Sequence, residues 1–255
     1  MKSIALLSLV VAPFVVACSI SSSNSDPPPG SLHSANVATN QMRASFSAQS
    51  GDSNVKVYAS VFAKNANGDS VGVALDQGDY FTASVAGSAP ITLTVEPAEN
   101  TTIPYTATLP LATAAEDITI ALVRGNGQVS APRSVIHLPA PFTIVANVPP
   151  TVKIGTNIPF RIDPATFDSL EMEVVGDCIA DNSDGYDAPT LDDTGSGVMN
   201  TAQIKLKNGS GCSTDLYLDI YGSDGSVDSA FAGGLTGLGD VLGEQRRAVT
   251  TSLTP

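Results

Sequence analysis

Tryptophan is absent from the 255 residues, and aromatics of all kinds make up only 5% of them. A sugar-binding cleft built on stacked ring faces is therefore a poor fit. The chain has two histidines, His33 and His137. Neither has a partner at motif spacing, and zinc needs four N/S ligands, or three and a water. Basic residues are scarce: 12 Lys and Arg stand against 25 Asp and Glu. Such a field repels nucleic acid, which is bound through clustered Lys and Arg. It also disfavours lying flat on an anionic membrane surface. No apolar run reaches the roughly 20 residues that span a bilayer. No G-x-S-x-G, H-E-x-x-H, phosphate loop or dinucleotide fingerprint occurs. No catalytic residue, metal site or cofactor is expected, and the chain is not read as an enzyme.

The amino terminus carries a positive motif. Lys2 precedes an apolar run from Ile4 to Ala17, broken only by Ser8 and Pro13. A charged start, a short apolar core and a small residue before the cut mark a secretory signal peptide, here residues 1–17. The run closes on Val15-Val16-Ala17-Cys18, which resembles the lipobox of bacterial lipoproteins. That resemblance covers the first 18 residues. It implies a diacylglyceryl group on the Cys18 thiol, cleavage before Cys18 and acylation of the new amine, with palmitate among the chains. Several acyl chains anchor a protein stably where one does so only marginally. The resemblance also implies that Ser19, which is not Asp, favours the outer membrane of the cell envelope. The lipid is then the sole membrane contact. The competing reading is an ordinary secreted protein with Cys at position 18.

Residues 18–35 read as a tether: Ser, Pro and Gly dominate and no apolar period exists. From about residue 40 the pattern alternates with period two, as in Val55, Val57, Ala59 and Val61, or Leu216, Leu218 and Ile220. Successive strand side chains point to opposite faces, so each run offers one face to a core. Turn signals such as Asn67-Gly68 and Asn126-Gly127 separate the runs. Strands are expected over 41–47, 55–63, 71–75, 80–85, 91–95, 103–109, 118–123 and 134–138. A second set is expected over 142–146, 151–154, 158–162, 170–175, 202–207, 214–221 and 245–253. Leu138-Pro139-Ala140-Pro141 interrupts the pattern, because proline lacks a ladder donor. The fold class is therefore all-β, with two Ig-like antiparallel β-sandwiches, residues 36–139 and 140–255. The glycine-rich stretch Ala230 to Gly243 reads as a packed loop or a short helix. This layout resembles uncharacterised Gram-negative lipoproteins with tandem Ig-like domains, a resemblance of architecture that specifies no active site.

Asp177 to Asp193 is the most chemically suggestive stretch. Asp181, Asp184 and Asp187 recur around Gly185, with Asp192 and Asp193 beyond. Calcium takes six to eight hard oxygens, and a glycine-bent acidic loop can supply them. The EF-hand register fails, since Ala180 and Leu191 fall where acids are required. The plainer reading is a solvated acidic loop. Gly68-Asp69-Ser70 matches the start of one esterase motif, but no His follows position 137, and a turn explains it better. Arg246-Arg247 is the one adjacent basic pair, open to salt bridges with the acidic surface or to a partner; on a strand the two would point to opposite faces.

The leading expectation is a lipid-anchored envelope protein, a non-enzymatic scaffold or binder of an unknown protein or surface ligand. The alternative is a calcium-dependent adhesion or ligand-binding module using the loop from Asp181 to Asp193. An enzyme working through scattered carboxylates is the third possibility.

Cys178 and Cys212 remain once Cys18 is lipidated, and an oxidising compartment lets a bridge persist. Two buried free thiols are the alternative. A bridge across that loop is worth about 3.5–4 kcal/mol in the chain-entropy model. Mature protein, denatured without reduction, should show no thiol reactive to Ellman's reagent; two would refute the bridge.

Overall fold

A computed structural model describes residues 27–255 except 77, 98–101, 126, 147, 166–168, 181–190, 193, 223–224 and 234–240. The signal peptide, Cys18 and the first part of the tether lie outside the described residues. So do Asp181, Asp184, Asp187 and Asp193 of the acidic loop.

The described chain is built of strands joined by turns, with only short 3-10 turns as helix. The first ten are β1 (Leu32–His33), β2 (Arg43–Ser50), β3 (Asn54–Lys64), β4 (Ser70–Ala74), β5 (Tyr80–Val85), β6 (Ile91–Thr92), β7 (Thr94–Val95), β8 (Tyr105–Pro110), β9 (Glu116–Val123) and β10 (Ala131–Leu138). Seven follow the proline joint: β11 (Thr143–Ala146), β12 (Thr151–Lys153), β13 (Asn157–Asp163), β14 (Ser169–Val175), β15 (Ser196–Asn200), β16 (Cys212–Tyr221) and β17 (Val241–Thr254).

The fold is all-β, with sheets packed into sandwiches around two separate cores. In β3 the alternation works as the sequence implies: Val55, Val57, Ala59 and Val61 are buried between half-exposed neighbours. They pack with Phe46 of β2, Phe81 of β5 and Ile118 and Ile120 of β9. Phe46 and Phe81 meet edge to face at 5.9 Å. Each such buried side chain contributes about 1.5–3 kcal/mol through water exclusion. The second core joins Ile158 and Phe160 of β13 to Met172 of β14 and Leu216 and Leu218 of β16.

One sheet serves both cores. Its order is β1-β4-β3-β2-β17-β16-β14, with β8 and β7 extending from β3 and β12 from β17. A four-stranded sheet, β10-β9-β5-β6, closes the first sandwich, and a three-stranded one, β11-β13-β15, the second. The sheets are mainly antiparallel, as expected, with three parallel pairs that the sequence did not indicate: β1–β4, β12–β17 and β17–β2.

The expected division into 36–139 and 140–255 needs correction too. Leu138 packs in the first core and Phe142 in the second, so the chain first passes from one core to the other between them. The chain then returns. Ser226 and Val135 exchange two backbone hydrogen bonds of 2.8 Å. Phe231 and Val241 pack into the first core, and Ala232 N–H donates to the Met42 carbonyl at 2.8 Å. Among the described residues, 226–233 and 241–245 therefore belong with the first sandwich. Glycine makes the return possible: a Cβ on Gly243 would sit 2.0 Å from the His137 carbonyl oxygen, and one on Gly222 2.2 Å from the same atom.

The tether also ends earlier than residue 35. Leu32 and His33 form β1, and Ser34 is fully buried. Arg124 holds this entry. Its Nη2 donates to the carbonyls of Ser34 at 2.7 Å and Val37 at 3.2 Å, and its Nε pairs with Asp79 at 2.8 Å. Asp76 accepts from the Ser34 hydroxyl and the Ala35 N–H. Finally, 202–207 is not a strand. The Asn200 side chain accepts from Ala202 N–H at 2.9 Å and starts a 3-10 turn over Thr201–Gln203. The neighbouring strand is β15 instead.

Gly243→Ala should cost about 1–3 kcal/mol, because the clashing atom is backbone and cannot rotate away. Gly51→Ala, with open space around it, should stay within about 0.5 kcal/mol. Urea denaturation of both variants would measure the difference, and equal stabilities would reject the close-approach account.

Candidate functional site

Strand alternation sorts β17 into two faces. Glu244, Arg246 and Ala248 take one; Gln245, Arg247 and Val249 take the other. Residues 241–245 pair with β2, and residues 244–253 pair with β16. Glu244 and Gln245 are thus flanked on one side by the first sandwich and on the other by the second. Glu244 lies opposite Gln49 and Tyr221; Arg246 lies opposite Asp219, which itself lies opposite Glu171 on β14.

This register gathers a charged cluster on the outer face. Arg246 grips Asp219 with both arms of its fork, Nε to Oδ1 at 2.8 Å and Nη2 to Oδ2 at 2.9 Å. Its Nη2 also reaches Glu173 Oε2 at 2.5 Å, and its Nε reaches Glu244 Oε1 at 3.0 Å. The guanidinium lies over the Tyr217 ring, 4.7 Å from its centroid. Gln49 Nε2 donates to Glu244 Oε1 at 2.9 Å, and the Tyr221 hydroxyl donates to Glu171 Oε2 at 3.3 Å.

The electrostatics follow from burial and crowding. Asp219 is 1% exposed and Glu244 9%. Burial, and after it the adjacent Asp219, push the Glu244 carboxyl up to about 7 against the opposing pull of Arg246 and Gln49. Burial and the charges of Glu244, Asp219 and Glu171 raise the Tyr221 phenol. Burial would lower Arg246, but its bonds to Asp219 and the carboxylates around it hold it above its ordinary value. The arrangement can bind and release a proton near neutrality. The carboxylates are already engaged by arginine, and among the described residues no three His, Cys, Asp or Glu converge to hold a metal.

Arg247 works on the other face. It donates to the carbonyls of Phe142, Ser50 and Gly51 and stacks on Phe142 at 5.3 Å. The two arginines do point to opposite faces, as the alternation requires.

The other sites considered from sequence stand apart. The bridge between Cys178 and Cys212 is present, with Cα atoms 5.7 Å apart, joining the chain after β14 to the start of β16. Asp192 Oδ1 accepts from the Thr194 hydroxyl, the Thr194 N–H and the Ser196 N–H, which hold its carboxyl below the usual range. It serves the turn into β15. Gly68-Asp69-Ser70 belongs to the hairpin turn between β3 and β4, where Asn65 Oδ1 accepts from Asn67 and Asp69 N–H. His33 bonds Asp76 at 2.8 Å and His137 bonds Asp117 at 2.6 Å. The Ser34 hydroxyl is given to the Asp76 carboxylate, so no hydroxyl there is poised on an imidazole. An open groove of about 910 Å³ crosses the three-stranded sheet, lined by Val145, Pro159, Phe160, Leu191, Asp192 and Val198.

Sequence reading allowed Arg246 a salt bridge to the acidic surface but missed its partners, and it missed the Arg124 entry clamp. The signal for the first was present: acids alternate along β14 and β16, and the adjacent arginines sit on the last strand.

No protein-family model matches the chain, and no curated protein matches it. Among solved structures it is similar to the adhesin InvE of Yersinia pseudotuberculosis, at 11% identity and a TM-score of 0.23 over 84% of this chain and 60% of that one. It is also similar to a chimeric titin Z1Z2 functionalised with a KLER peptide from decorin, at 11% identity and a TM-score of 0.24, over 86% and 98%. The chain spans 60% of the adhesin's length.

Arg246→Met would leave Asp219 and Glu244 buried beside each other without a cation. It should cost about 2–3 kcal/mol at pH 8. Glu173→Gln, at the more exposed edge of the same cluster, should cost under about 1 kcal/mol. Chemical denaturation should preserve that ranking; a reversal would mean Arg246 is not the centre of the cluster.

Proposed function

We propose that this chain is a lipid-anchored protein of the bacterial envelope, most simply of the outer membrane, that acts without catalysis as a scaffold or binder of a protein or surface ligand. The observation that carries the reading is the pattern Val15-Val16-Ala17-Cys18 at the close of a short apolar run, followed by a tether that stops where Leu32 enters the sheet. About 13 residues then separate Cys18 from the folded chain, a typical reach of about 20 Å if flexible. A buried arginine fastens the tether's end to the first sandwich, and β17 fastens the first sandwich to the second. A partner engaging the second sandwich would thus be held to the membrane through one continuous ordered path.

Asp192 Oδ1 accepts three hydrogen bonds within its own turn, while Asp181, Asp184, Asp187 and Asp193 of the alternative calcium loop lie outside the described residues.

Cys18→Ser, expressed as the full chain in a Gram-negative host fed radiolabelled palmitate, should incorporate no label and move from the membrane to the soluble envelope fraction. Unchanged membrane association would overturn the proposal.

A further inference from the structure

Glu244 occupies an unusual place. It is one of the two residues at which β17 is paired with β2 on one side and β16 on the other. Its Oε1 and Asp219 Oδ1 both approach the same Arg246 Nε–H, at 3.0 Å and 2.8 Å. One N–H cannot fully satisfy two anionic oxygens. A proton held between the two carboxyls removes that conflict.

We propose that Glu244 and Asp219 form an acid-set clasp at the handover of β17 between the sandwiches, closed when Glu244 is protonated and loosened when it ionises. Closed, the protonated carboxyl removes the charge from one of three acids gathered on a single arginine, and β17 stays seated against β2. Open, the repulsion falls on the strand segment that carries the first sandwich to the second.

The groups that face Glu244 set the balance. Among the described residues, Arg246 on β17 is the one cation in hydrogen-bond contact with it. Asp219 and Tyr221 face it from β16, with Tyr217 beyond; Glu171 and Glu173 lie one strand further on β14. From β2 comes Gln49. Lys56, opposite Gln49 on β3, is committed to Glu96 at 3.1 Å. β10 presents the His137 carbonyl at Gly243, and the His137 ring is held by Asp117. On the reverse face Arg247 is 3.5 Å from Asp52.

The direction of the pH effect follows by linkage. Glu244 titrates near 7 when folded, against 4.5 for an ordinary glutamate. A carboxyl raised by folding stabilises fully below its unfolded value and loses that contribution as pH rises through its folded value. The clasp is therefore complete below about pH 4.5, weakens from there and is open above about 7.

Hydrogen exchange on the mature chain, corrected for intrinsic rates between pH 5.5 and 8, tests it. Protection of amides in 241–245 and 46–50 should fall at least about tenfold across that range, while β13 and β15 hold theirs. Glu244→Gln, which keeps a donor and cannot ionise, should abolish the fall and thereby separate it from His137. A flat wild-type profile, or the same fall in Glu244→Gln, would overturn the clasp. Should that variant not fold, carbon-13 titration of the wild-type Glu244 carboxyl decides: a midpoint near 7 alongside the exchange result supports the clasp, and one near 4.5 overturns it.

Discussion

Strand β17 is the element on which the rest of the molecule depends, because it is the only described strand hydrogen-bonded to strands of both sandwiches. Its first residues extend the sheet behind Phe46, and its remainder forms the centre of the second domain between β12, β16 and the reverse face. A hinge between independent domains needs a linker across which few contacts pass. Here a ladder passes instead. The proline joint at Leu138 to Pro141 marks where the chain first leaves the first core, and β17 undoes its independence by coming back.

The shared strand creates its own electrostatic problem. Glu171 and Glu173 of β14, Asp219 of β16 and Glu244 of β17 come together on the outer face. Arg246 resolves this crowding by holding three carboxylates, with the Tyr217 ring beneath it. Its neighbour Arg247, turned to the other face by the same pleat, binds carbonyls on Ser50, Gly51 and Phe142 and so ties the edge of the first sandwich to the start of the second. One dipeptide thus secures the handover from both sides. The burial that makes Arg246 valuable also raises Glu244, so rigidity and pH sensitivity have the same origin.

At the other end, Arg124 performs a comparable task for the tether. Its side chain is fully buried, paired with Asp79, and spends its remaining donors on the backbone of residues 34–37 and on the Thr39 hydroxyl. A charge that deep is tolerated only when paired and hydrogen-bonded throughout. The consequence is a sharp transition from linker to fold at Leu32, and a fixed point at which any pull from an anchor would be received.

Much of this was legible in the residues. Period-two alternation determined the β class, the buried faces of β3 and β16 and the opposed arginines, because alternation is a local property of an extended chain. The two cysteines, flanking paired strands, likewise declared themselves as a bridge. Pairing partners were not legible. Nothing in Val241–Thr254 says that its first residues join β2 in parallel, since register is set by which surfaces find each other across some 200 residues of chain. For the same reason the Arg246 cluster, the raised Glu244 and the entry clamp of Arg124 belong to the tertiary structure. Each joins side chains tens to hundreds of positions apart, and only the folded sheet brings their charges within hydrogen-bond range and out of water.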